Sequence, residues 1–211
     1  MTEDVLRFVV GPFRSNMYVV ILRGGDAIVV DPGPGGFYKV LYLADRGLAM
    51  PRYVILTHAH FDSAADAEDI RETFSARIVM HVGEFSTYRN SRILAQVAGV
   101  RWRDPLPDIA LTGDSVLVVS GYELVLIHTP GHTPGSLSLY MPQINTVFTG
   151  DLLLSNGTVG AEPSLGLAEA LRSLRKLVRL VPQNARLLPA RGSPGVLGDA
   201  FRMALMRAEG A

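Results

Sequence analysis

His58-Ala59-His60-Phe61-Asp62 follows directly on Tyr53–Thr57, a continuous apolar run of strand length, and reads as the loop by which that strand exits. Extended backbone points alternate side chains to the same side, so the rings of His58 and His60 can converge on one ion, with Asp62 continuing the alternation. Loops at strand ends are also where a rigid scaffold holds catalytic groups open to substrate. An isolated His-x-His pair is as readily two solvated loop residues, but a carboxylate two positions on turns the reading towards a metal site. Neutral imidazoles with a carboxylate suit zinc, iron or manganese better than calcium or magnesium. The chain of 211 residues has no cysteine, which excludes thiolate zinc sites, disulfides and a cysteine nucleophile, so any metal must use His, Asp or Glu.

Two further stretches supply donors. His132 lies in Thr129-Pro130-Gly131-His132-Thr133-Pro134-Gly135-Ser136, a loop so rich in Pro and Gly that its backbone must be held in one shape, which aims a side chain. Asp151 follows a strand through Thr149-Gly150, where glycine permits close backbone approach. Alone, Asp151 could be a cap for the next segment; beside the three histidines it reads as a ligand. His81 and His128 each end a strand pattern and read as satisfied core or loop histidines, outside the ligand set.

Outward from these motifs, strands and helices alternate. Leu6–Val10, Met17–Leu22 and Ala27–Val30 read as a strand meander, with Gly24-Gly25-Asp26 as a hairpin turn. After Pro32-Gly33-Pro34-Gly35-Gly36, Phe37–Arg46 shows helical spacing, and Ser63–Thr73 reads as a second helix with Ser63 at the N-cap. Arg77–Met80 is a strand, Glu84–Val97 a helical region, and Arg101–Thr112 a long surface connection resembling a seam between halves. Beyond it, Ser115–Val119, Glu123–Ile127, Leu137–Tyr140, Thr146–Thr149 and Arg186–Leu188 read as strands. Leu165–Leu180 is the clearest amphipathic helix, with Leu167, Leu171, Leu174, Leu177 and Val178 on its apolar face, and Leu197–Arg207 forms a terminal helix. Two β-rich halves, each carrying helices, fit an α/β architecture: an αββα four-layer sandwich of two mixed sheets with helices on the outer faces, as a single domain over residues 1–211.

Composition narrows the partners. With 48% hydrophobic and 19% charged residues the chain has ample material for a core. Twenty basic residues balance twenty acidic ones, which argues against a nucleic-acid or anionic-membrane partner and for a small-molecule substrate. The start carries acidic residues where a signal peptide needs positive ones, and no apolar stretch approaches the roughly 18 residues of a membrane span, so a cytoplasmic location is expected.

Together the Thr57–Asp62 motif, the Thr129–Ser136 loop, Thr149-Gly150-Asp151 and the earlier Val30-Asp31-Pro32-Gly33 resemble the metallo-β-lactamase superfamily in order and separation. The glyoxalase II-like branch looks closest, sharing Asn16-x-Tyr18 ahead of the Asp-Pro-Gly turn and the full loop around His132. The resemblance implies a metal-dependent hydrolase of thioesters and related esters, with His58, His60, His132 and Asp151 holding the first metal. Full-length glyoxalase II carries an added C-terminal helical region that helps hold glutathione; none is expected in these 211 residues, so hydroxyacylglutathione is not singled out as the expected substrate. Two residues depart from the family pattern: Ser63 and Arg191 stand where second-metal histidines are usual. That leaves Asp62 and Asp151 for a second ion, a poor zinc site. The expectation is therefore one divalent metal, zinc before iron or manganese, with Asp62 freed to orient water or pass its proton. Arg191 either pairs with Asp62 or Asp151 in place of the second ion's charge or points outward as a solvated residue. The rival readings are an iron-dependent persulfide dioxygenase and a non-catalytic metal-binding member of the fold.

Overall fold

β-branched and aliphatic runs broken by tight turns build the first half of the chain into a six-stranded mixed sheet. In the computed structural model, which describes residues 4–162 and 164–209, strands β1 (Asp4–Val10), β2 (Ser15–Ile21), β3 (Asp26–Val30), β4 (Met50–Ile55), β5 (Arg77–His81) and β6 (Ile109–Leu111) lie in that order. β1 to β3 form an antiparallel meander; β3 to β6 are parallel. Parallel neighbours require crossovers. Helix α1 (Gly36–Asp45) supplies the first, α2 (Phe61–Ala64) with α3 (Ala67–Phe74) the second, and α4 (Tyr88–Val97) the third. Val19, Val29, Val54, Ile78 and Met80 of the strands and Val40 and Ile70 of the helices form one buried apolar cluster.

The second unit, which begins at Thr112, repeats the plan. β7 (Ser115–Val119), β8 (Tyr122–His128), β9 (Leu137–Met141) and β10 (Thr146–Gly150) run antiparallel, β11 (Arg186–Pro189) pairs parallel with β10, and β12 (Gly195–Val196) closes the order. Helix α5 (Gly166–Leu180) makes the β10–β11 crossover and α6 (Leu197–Glu209) ends the chain. Their cluster includes Ile127, Val147, Leu174, Leu177, Leu187 and Leu197. The two mixed sheets with helices are those expected. Among the described residues, no helix is long and apolar enough to cross a membrane.

Three local expectations are corrected. The single helix over Ser63–Thr73 is two helices, and Ser63 is not a cap but a fully buried residue inside α2. The break falls at Asp66, whose carboxylate takes the Phe37 N–H at the start of α1 (2.9 Å) and whose own N–H reaches the Pro32 carbonyl (3.0 Å). Held to another segment at both ends, Asp66 cannot continue α2; burial pushes its carboxyl above the ordinary range, opposed by the Phe37 amide. The connection over Arg101–Thr112 contains β6, anchored where Asp108 exchanges two hydrogen bonds with the backbone of Ile78. On α5 the buried stripe runs through Ala170, Ser173, Leu174 and Leu177, leaving Leu167 43% exposed. Small residues define that stripe because Ala170 packs against Gly131, where a Cβ would come within 2.5 Å of the Ala170 Cα.

Leu177 is fully buried in the second cluster, so Leu177→Ala is expected to lower unfolding stability by about 2–5 kcal/mol. Urea titration followed by circular dichroism measures it; a change within error would mean the cluster is not cooperative with the fold.

Candidate metal centre

In the first unit the site begins at the ends of two parallel strands. Asp31, at the end of β3, is buried and held at φ +52°, a left-handed conformation that Asp tolerates better than most residues. Its Oδ1 accepts the Thr57 N–H (2.7 Å) and its Oδ2 the Thr57 hydroxyl (2.6 Å). The Thr57 Oγ1 also lies 3.0 Å from His58 Nδ1. A hydroxyl has one hydrogen, and a carboxylate can only accept it, so towards His58 the Thr57 oxygen acts as acceptor. His58 therefore carries its proton on Nδ1 and presents the Nε2 lone pair, the form in which a neutral imidazole binds metal.

His58 is buried and His60 half-buried, their ring centroids 5.0 Å apart and nearly perpendicular. His60 has extended backbone (ψ 144°) just before α2, which retains the alternation although the pair lies beyond β4. Asp62 is buried in α2, and its Oδ2 accepts the Ser15 hydroxyl at 2.8 Å. The Pro32-Gly33 turn closes over it: a Cβ on Gly33 would stand 2.1 Å from the Asp62 carbonyl oxygen, so only glycine fits.

In the second unit the Pro/Gly loop 129–136 is tied shut by Thr129 N–H to the Ser136 carbonyl (2.8 Å) and by Thr133 N–H to Ser136 Oγ (2.9 Å). Helix α5 holds it from behind, Ser173 Oγ donating to the Pro130 carbonyl (2.6 Å), while the Glu162 N–H donates to the Gly131 carbonyl (3.0 Å). The His132 ring so aimed has Nε2 3.6 Å from Asp151 Oδ2. The same carboxylate oxygen accepts Arg191 Nε at 3.1 Å. Arg191, 35% exposed, turns towards Asp151 rather than outward. Gly160 completes the wall, since a Cβ there would lie 2.1 Å from the Asp151 carbonyl oxygen and 3.1 Å from His132 Nδ1.

The first unit brings the His58 and His60 rings together, with Asp62 on the Ser15 hydroxyl, and the second brings His132, Asp151 and Arg191 together. Imidazoles with a carboxylate are a donor set that fits zinc or iron and is too rich in imidazole for calcium or magnesium. The other histidines have local partners: His81 Nδ1 accepts the Gly83 N–H at 3.1 Å, and His128 Nε2 lies 2.9 Å from the Pro134 carbonyl, to which it can only donate. Sequence reasoning missed Ser15 and the role of Thr57. Ser15 lies outside every motif, whereas Thr57 opens the Thr57–Asp62 motif and Asp31 lies within the Val30–Gly33 turn, with nothing local to show that they pair.

The metallo-beta-lactamase superfamily model matches residues 10–186, and the chain belongs to that superfamily. It is similar to the probable metallo-hydrolase YqgX of Bacillus subtilis, 28% identical over 88% of this chain and 89% of that protein. A hydroxyacylglutathione hydrolase of Cereibacter sphaeroides is 31% identical over 84% of this chain and 64% of its own length. Among solved structures, TTHA1623 in a di-iron-bound form has a TM-score of 0.79 at 28% identity, covering 94% of this chain and 98% of that one. The BLEG-1 B3 metallo-beta-lactamase, at 24% identity with 94% and 97% of the two chains covered, shares the fold with a TM-score of 0.81.

His132→Ala is expected to lose tight metal binding, because it removes one of three imidazoles. His81→Asn and His128→Asn are expected to retain it. Elemental analysis of the three purified, folded variants checks both statements, and stoichiometric metal in His132→Ala would refute the ligand assignment.

Proposed function

We propose that the chain is a cytoplasmic hydrolase of a small ester, thioester or lactone that works with a single divalent metal held by His58, His60 and His132 and by Asp151, whose Oδ2 lies 3.6 Å from His132 Nε2. We further propose that residues 1–211 act as one domain, as superfamily membership over residues 10–186 supports. Superfamily membership and the metallo-hydrolase relatives support the reaction class. The observation that carries the single-metal reading is the Arg191–Asp151 contact at 3.1 Å. Arginine cannot ligate a metal, because its guanidinium does not deprotonate, yet it supplies a fixed positive charge to a carboxylate. Ser63, fully buried where the family usually has a histidine, offers only a hydroxyl.

Bound at the four ligands, the metal would supply Lewis acidity to a carbonyl oxygen and make water nucleophilic near neutral pH. The remaining steps belong to side chains. Asp62, held by Ser15, orients the attacking water and receives its proton. Arg191, turned towards Asp151 through Nε, brings a fixed positive charge to the site, where it can stabilise a substrate carboxylate or the negative charge developing on the carbonyl oxygen. The balanced charge of the chain suits a small ligand rather than a nucleic acid. A glyoxalase II-like choice of thioester is favoured by the hydroxyacylglutathione hydrolase relative.

Protein purified without added metal is expected to hold one metal per chain, and Ser63→His with Arg191→His to hold two. Arg191→Ala is expected to lower kcat/KM by about 10²-fold, the scale of losing one donor to a developing oxyanion. Two metals in the natural protein would reject the single-metal reading. No turnover across esters, thioesters and lactones with zinc, manganese or iron would reject the hydrolase, and oxygen uptake with glutathione persulfide would put the iron dioxygenase in its place. Absence of both metal and any thermal stabilisation by added metal would identify a non-catalytic member.

A further inference from the structure

Between the two leading histidines, Ala59 has both of its backbone polar groups held by side chains from distant elements. Glu84, fully buried in the 3-10 turn over Val82–Thr87, accepts the Ala59 N–H on Oε2 at 2.7 Å. Ser91, fully buried on α4, donates its hydroxyl to the Ala59 carbonyl at 2.8 Å. Glu84 Oε2 lies 3.3 Å from the Thr87 hydroxyl, which also donates to the Glu84 carbonyl at 2.8 Å. A carboxylate without solvent contact is costly to bury, and an apolar side chain would fill the same volume more cheaply. Here it is spent on Ala59, the one residue between His58 and His60, whose N–H belongs to the first of the two peptide units that join them and whose carbonyl belongs to the second.

The backbone of Ala59 sets the relation between the two rings. Rotation about it would swing His58 and His60 relative to one another, and the donated and accepted bonds on opposite sides of Ala59 oppose that rotation. Asp31 and Thr57 fix the His58 ring from its N-terminal side. Glu84 and Ser91 fix the backbone from its C-terminal side, 25 and 32 residues away in sequence.

We propose that Glu84 and Ser91 are positioning residues for the His58–His60 pair, pre-setting the angle at which the two imidazoles meet a metal. The proposal rests on the metal reading above. Ser91→Ala, Glu84→Gln and Glu84→Ala are compared with the natural chain by amide hydrogen exchange at Ala59, by NMR of the His58 and His60 ring signals in metal-free protein, and by chelator competition with Zn(II). Ser91→Ala is the variant that spares the buried charge if Glu84→Ala fails to fold. Faster exchange at Ala59, broadened or doubled ring signals, and Zn(II) affinity reduced roughly tenfold or more in folded Ser91→Ala and Glu84→Ala are expected. Glu84→Gln, which keeps an acceptor oxygen, should lose less. Unchanged ring signals, or unchanged Zn(II) affinity beside faster Ala59 exchange, would reduce the clamp to a merely structural role and overturn the proposal. If the natural chain binds no Zn(II), manganese or iron, the metal reading falls by itself; single, unbroadened ring signals in the variants would then overturn the clamp as well, and doubled ones would sustain it.

Discussion

The Asp31 carboxylate, buried where β3 ends, is the constraint from which the first half of the site follows. By taking both the N–H and the hydroxyl of Thr57, it fixes where the chain leaves β4. The left-handed backbone at Asp31 costs on the order of 1–3 kcal/mol in an unsupported residue. Two charge-assisted hydrogen bonds at the normal distances offset it. One of those bonds also decides a proton: with the Thr57 hydrogen given to Asp31, the His58 ring must protonate towards Thr57. A single buried carboxylate thus sets a strand end, a loop direction and the nitrogen available for a ligand.

The second half reaches a comparable result with small residues. Gly131, Ala170 and Gly160 let backbones approach within distances that a methyl group would forbid, and the Ser173 hydroxyl replaces what a strand ladder provides elsewhere. Charge enters only at Asp151, shared by His132 and Arg191. Because Arg191 is about a third exposed, solvent weakens that pair as a source of stability. Its direction is the more informative property.

The legible parts of the sequence are those whose signal is local. His58, His60 and Asp62 lie within five residues behind an apolar run, His132 sits in a loop dense in Pro and Gly, and the strands of both sheets show as β-rich runs between turn residues. The helix over Ser63–Thr73 was misread because its break is imposed by Asp66 reaching Phe37, 29 residues away. β6 was hidden because three residues are too few to show a period. Leu167 was assigned to a buried face because periodicity sees apolar side chains but not the small pair, Gly131 and Ala170, that sets the rotation of α5. The supports of the site were illegible for the same reason: Ser15 meets Asp62 across 47 positions, and a lone serine or glutamate in one sequence carries no mark of its partner.

The docking of α5 on the 129–136 loop has a consequence for time. Ala170 and Ser173 lie one turn apart on a helix that also buries Leu174 and Leu177 in the second cluster, so the loop cannot drift while the helix stays in place. Surface loops of this length commonly move in roughly nanoseconds to microseconds. The backbone that carries His132 can move far only when α5 lifts from the sheet, a local unfolding event on the order of microseconds to seconds. Any group that His132 came to hold would thereby exchange on the clock of a helix rather than of the loop in which the histidine sits.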